Sequence, residues 1–137
     1  MSHISQATSQ IRRARKESQY YKILSGLFMK ITMEDDRLQG MFINRVQLSP
    51  SSSACTIFFY LPDGEEAFRE KLDVLKLYKP SLRKSLSSLI DGRYTPELIF
   101  KFDTLFEKQQ RIEAVLEAVS SRDNSESISD VSESIDE

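Results

Sequence analysis

Apolar side chains recur at three- and four-residue steps from Ile11 through Ala14, the small Ser18, Tyr21, Leu24 and Phe28 to Ile31. That period gives an α-helix one continuous apolar stripe. It stops in TMEDDRLQG, where clustered acids and Gly40 interrupt it and a loop is expected. MFINRVQL then places Phe42, Val46 and Leu48 on one side with Asn44 between them, and ACTIFFYL is dense in aromatic and β-branched residues. Between them SPSSS reads as a tight turn, because strand-like patterns continue on both sides of it, so the two runs predict an antiparallel hairpin.

PDGEE is a turn followed by acids suited to a helix amino terminus, and Phe68, Leu72 and Leu75 supply the helical face behind it. Pro80 lacks an N–H, and its ring collides with the carbonyl of Lys76, so the helix cannot pass through undistorted; Leu82, Leu86 and Leu89 resume helical spacing beyond it. The chain therefore bends there, and DGRY closes the helix beyond the bend at Gly92. In PELIFKFD, Pro96 stands where a missing ladder hydrogen bond costs least; Leu98, Phe100 and Phe102 then face one way and Ile99 and Lys101 the other. Leu105, Ile112, Leu116 and Val119 indicate one more helix. The expected class is α+β, with helices packed on one face of a three-stranded sheet. Residues 1–10 are expected to be a flexible amino terminus, 11–119 the folded domain, and 120–137, rich in serine and acid, a disordered tail.

Composition narrows the function. The chain has 137 residues, 39% hydrophobic and 29% charged, enough for one core. No apolar block resembles a secretory signal or a membrane span, so a cytoplasmic protein without membrane partners is expected. The formal charge of −2 hides a division: residues 120–137 hold one basic and six acidic side chains, net −5, leaving +3 on residues 1–119. Basic residues concentrate at Arg12, Arg13, Arg15 and Lys16, and again at Lys76, Lys79, Arg83, Lys84 and Arg93. Two such clusters fit a phosphate-binding footprint, although charge runs can equally be solvated helix faces.

Catalytic chemistry has little to stand on. Ser81 and Lys84 have a Ser-x-x-Lys spacing, but no oxyanion-hole glycine loop accompanies them. Glu34, Asp35 and Asp36 lack the rest of a calcium loop and read as a solvated turn. A single cysteine, Cys55, and a single histidine, His3, cannot build a structural zinc site, and the four glycines form no phosphate loop. Cys55, alternating with apolar neighbours, reads as a buried thiol, and Phe58, Phe59, Phe100 and Phe102 as core in preference to stacking platforms. No cofactor, metal or small-molecule substrate is expected, and the chain should not be an enzyme. No heptad seam runs long enough for a coiled coil, so a monomer is expected.

Five segments taken in order, IRRARKESQYYKILSGLFMKI, RLQGMFI, NRVQLSPSSSACTIFFYL, YTPELIFKFD and RIEAVLEAV, resemble the bacterial ribosome-binding factor A family. The matching features are Val-x-Leu-Ser-Pro at Val46–Pro50, Pro-Glu-Leu-x-Phe at Pro96–Phe100, then Asp103, and Arg111 with Ile112. The resemblance covers roughly residues 11–119 and implies a KH-like fold of type II topology, α-β-β-α-kink-α-β. It further implies a non-catalytic assembly factor that binds the immature 30S subunit and its 16S rRNA. Relatives mark the interhelical kink with Ala-x-Gly; counting back from Pro96, the equivalent residues here are Tyr78, Lys79 and Pro80, so a proline replaces the glycine. The basic residues of both clusters would then position the protein on folded RNA through phosphates and shape. A protein-interaction adaptor with incidental basic clusters is the alternative.

Overall fold

The computed structural model describes residues 2–90 and 94–136, with side chains described for 7–90 and 94–121. The chain divides into two compact units, Met1–Asp103 and Thr104–Glu137. In the first, helix α1 (Ser2–Glu34) leads through a 3-10 turn (Asp36–Leu38) into strands β1 (Phe42–Leu48) and β2 (Ala54–Tyr60). Helices α2 (Glu65–Leu77) and α3 (Lys79–Leu89) follow, and strand β3 (Glu97–Phe102) closes the order. The sheet runs β1-β2-β3, antiparallel across the hairpin and parallel between β2 and β3. Parallel neighbours need a crossover, which α2 and α3 provide.

One core joins the helices to one face of the sheet. Leu24 and Phe28 of α1, Phe68 and Leu75 of α2, and Leu82 and Leu86 of α3 are buried with Ile57, Phe59 and Leu98 of the strands. Phe59 is its centre, with Phe28 edge-on at 5.0 Å between ring centroids and Phe100 at 5.2 Å. Cys55 is buried in β2, and burial together with the Glu17 carboxylate pushes its thiol up to about 12, an inert state.

Several details differ from the sequence reading. The stripe of α1 buries Tyr20, not Tyr21, and Ile11 is 54% exposed, because the apolar face turns with the true 3.6-residue period. In β1 the inward residues are Ile43, Val46 and Leu48, while Phe42 points outward. The cause is an irregularity between Ile43 and Arg45: the extra residue, Asn44, swaps the alternation from one face to the other. Leu89, expected in the helical face of α3, is exposed.

Helix α1 begins at Ser2, where residues 1–10 had been expected to be flexible. In the second unit helix α4 (Thr104–Asp136) continues past Ser120, where a disordered tail had been expected. Neither segment contains a proline or glycine to stop a helix. The apolar residues Leu105, Ile112, Val115, Leu116 and Val119 of α4 are all more than half exposed. The expected closure at Gly92 lies outside the described residues.

Candidate nucleic-acid interface

The break expected near Pro80 is present and centred one residue before α3. Tyr78 sits at φ −88°, ψ −7°, in the sparsely populated bridge region, and its N–H reaches back only three residues to Leu75. Pro80 occupies the first turn of α3, where its missing N–H would have had no intrahelical partner. Proline thus ends one helix and starts the next without a glycine.

A buried carboxylate secures this junction. Asp35, at the end of α1, accepts the Tyr78 hydroxyl at 2.6 Å and both Nε and Nη2 of Arg37, at 2.9 and 2.8 Å. The Arg37 side chain and the Tyr78 hydroxyl hold the Asp35 carboxyl well below the usual range, and the same contact raises Tyr78. Asp35 is therefore a structural acid, in contrast to the solvated turn expected for Glu34–Asp36; no cluster of three or more metal-ligating side chains occurs among the described residues.

The depressed carboxyl has a consequence for stability against pH. A group whose folded pKa lies below its unfolded value contributes stability above the unfolded value and loses it as pH falls towards the folded one. Tyr78→Phe removes one hydrogen bond that favours the ionised form. In urea titrations the wild type should be more stable than Tyr78→Phe at pH 7, and the gap should persist as pH falls through the ordinary carboxyl value of 3.8, because the unfolded chain titrates alike in both proteins and Arg37 keeps the folded carboxyl ionised well below that value. A gap that closes already near pH 3.8 would show that the folded carboxyl is not held below its ordinary range.

Beyond the break, Arg83 donates from Nη2 to the Thr95 carbonyl at 3.1 Å, fixing its guanidinium beside the segment that leads into β3. Arg83 and Lys84 line a cleft of about 520 Å³ with Pro80, Ser87, Tyr94 and Thr95. Both basic side chains are exposed, and no ion pair engages either of them among the described residues. Lys76 is exposed as well. Lys79 is half-buried and turned inward, its Nζ 5.1 Å from the Phe100 ring centroid, so part of its charge is spent on an aromatic face. Arg93 lies outside the described residues.

The other basic cluster is placed separately. Arg12, Arg15 and Lys16 are exposed on α1, and Arg13 lines a groove with Gln10, Glu17, Gln47 and Pro50 that shares no residue with the Arg83 cleft. Glu17 is committed to the fold, accepting the Leu48 N–H at 3.0 Å.

Beneath these surfaces runs a brace that sequence reasoning missed. Asp103, fully buried at the end of β3, accepts Asn44 Nδ2 at 2.9 Å and Arg45 Nε at 2.8 Å. Arg45 lies 3.8 Å over the Phe58 ring, which covers that aromatic on the sheet's second face. An acid directly after a core strand, together with an Asn-Arg pair in a neighbouring strand, was the available signal.

Ser81 and Lys84 are both exposed on α3, one turn apart. No described helix is long and apolar enough to cross a membrane.

Comparison with known proteins agrees with this architecture. The family profile for ribosome-binding factor A matches residues 12–116. A ribosome-binding factor A of Geobacter metallireducens is 30% identical over 103 residues, covering 75% of this chain and 86% of the relative. The protein of that name from Citrifermentans bemidjiense is 29% identical over 108 residues, 79% of this chain and 90% of the relative. Among solved structures, ribosome-binding factor A of Thermus thermophilus superposes with a TM-score of 0.55 at 25% identity, over 65% of this chain and 93% of that one. A Thermotoga maritima solution structure superposes at 0.59 with 23% identity, over 66% and 85%, and supports the fold alone. The α+β architecture of the first unit is that of these structures, a KH-like fold. The extent of the profile match, the coverage of the relatives and the shared fold agree, and the chain belongs to the ribosome-binding factor A family.

Proposed function

We propose that the protein is a non-catalytic assembly factor that binds the immature 30S subunit in the cytoplasm and assists maturation of 16S rRNA. The observation that carries this reading is the pair Arg83 and Lys84, exposed beside the α2–α3 break and bound by no carboxylate among the described residues. Free cations on a rigid helix can exchange condensed counterions for phosphates, whereas cations already paired would have to break a contact first. The Asp35–Tyr78 contact keeps the break in one geometry, so the cations are presented at a fixed place relative to the sheet. Arg12, Arg13, Arg15 and Lys16 offer a second, separate set of contacts, and two sets at fixed spacing select a shape of folded RNA more than a sequence. The protein acts as a monomer, without cofactor, metal or small-molecule substrate, and it leaves before translation begins.

Sucrose-gradient sedimentation with ribosomal particles tests the proposal. The protein should travel with free small subunits and their precursors. Recovery only with whole ribosomes, or only at the top of the gradient, would contradict it.

A further inference from the structure

One exposed side chain in the cleft beside α3 has no part in packing. Tyr94 is 86% exposed, and it lines the same cleft as Arg83 and Lys84. The ring is large and costs free energy to hold in water. Around it the cleft contains Pro80, Ser87 and Thr95, with no carboxylate among its described lining residues. An aromatic face next to two cations is the pairing that single-stranded nucleic acid requires: a base stacks on the ring while its phosphate meets the positive groups.

We propose that this cleft seats one unstacked nucleotide of single-stranded RNA, with the base against Tyr94 and the adjoining phosphate on Arg83 and Lys84. The inference rests on the reading of the protein as an rRNA-binding factor and adds the strand state of the RNA it holds. The stacking face favours a single strand over a duplex, and two further features suit a nucleotide unit and its phosphate. The volume of about 520 Å³ falls within the range of small-ligand sites, about 300–1,000 Å³, which suits one nucleotide unit. Arg83 uses one N–H on the Thr95 carbonyl, which fixes the plane of the guanidinium and leaves the remaining donors for phosphate oxygens. A stacking face has no use against paired bases, whose faces are already covered by their neighbours in the helix.

The test exploits the absence of tryptophan from the chain. Tyr94→Trp introduces a single indole at the cleft, and its fluorescence can be followed on titration with hexauridylate, a short RNA duplex, and uridine monophosphate. Hexauridylate should quench the indole at micromolar to millimolar concentration, and the duplex should not. Equal quenching by the duplex would overturn the proposal, and so would monophosphate binding as tightly as the hexamer, which would mean a free-nucleotide site. In parallel, Tyr94→Leu should weaken hexauridylate binding by roughly 5- to 150-fold, the usual range for loss of one stacked base, with the salt dependence unchanged. Unchanged affinity in Tyr94→Leu would also overturn it. If Tyr94→Leu binds small subunits normally while charge reversal at Arg83 and Lys84 does not, the stacking proposal fails and the assembly-factor reading survives; if neither substitution matters, the stacking proposal fails and the two cations leave the interface, while failure of the unaltered protein to travel with small subunits would overturn the assembly-factor reading.

Discussion

Reversing Arg83 and Lys84 together to glutamate should weaken binding to small subunits by roughly fifty-fold at 0.1 M salt and flatten its dependence on salt. Each lost phosphate contact removes about 0.7–0.9 from the slope of log affinity against log salt, so two contacts lower it by about 1.4–1.8. At 0.1 M salt that slope corresponds to roughly a five- to eightfold loss of affinity per contact, before any repulsion from the new carboxylates. Both side chains are exposed, and among the described residues only Arg83 makes a hydrogen bond, a single one to a backbone carbonyl, so the thermal midpoint should hardly move. The slope is the more telling readout. A variant that binds weakly but keeps the wild-type slope would have lost something other than phosphate contacts, and a variant that binds normally at every salt concentration would remove these two residues from the interface.

The largest effect on stability should come from Arg45→Ala, about 3 kcal/mol. The reason is the charge left behind. The Asp103 side chain is 1% exposed, and Arg45 satisfies it through Nε at 2.8 Å and Nη2 at 3.3 Å. Without Arg45 the carboxylate keeps Asn44 but loses the two guanidinium donors and their charge, and water entering the space Arg45 leaves replaces them only in part. Breaking such a pair costs about 3–5 kcal/mol, and the lower end applies because Arg45 itself is 41% exposed and partly hydrated. For a folded unit of this size the change corresponds to roughly 12–24 °C in thermal midpoint. Asp103→Ala should cost less, since the guanidinium it releases can turn to solvent. The two single variants measured by chemical denaturation check this order, and a loss below about 1 kcal/mol for Arg45→Ala would mean that the brace is not a buried pair in solution.

The order of elements and the break were legible because each depends on local chemistry. Pro80 excludes a continuous helix from its own covalent structure, the alternation in PELIFKFD needs no knowledge of partners, and SPSSS can only turn. What sequence could not supply were contacts between distant residues. Asp35 and Tyr78 are 43 residues apart, and nothing local distinguishes Asp35 from its neighbours Glu34 and Asp36. Asn44 looks like any polar residue in a strand until the register across β2 shows it to be the extra one, and that single residue reversed the expected orientation of Phe42. The same distinction applies to the cations. Charge clustering was visible in the sequence, but not that Lys79 would turn towards Phe100 or that Tyr94 would share a cleft with Arg83 and Lys84.

The most direct measurement is directed cleavage of rRNA from a probe fixed at the break. Cys55 is fully buried, so Ser81→Cys, exposed in the first turn of α3, provides a selectively reactive thiol for an iron chelate that generates hydroxyl radicals. Asp63→Cys serves as the control, because it lies before the far end of α2, roughly 20 Å along that helix from the break. Bound to small subunits, the Ser81→Cys conjugate should cut 16S rRNA at a few discrete places and the Asp63→Cys conjugate should cut it weakly or elsewhere. Strong cleavage from position 63 with none from position 81 would place the RNA on another face of the protein and contradict the account.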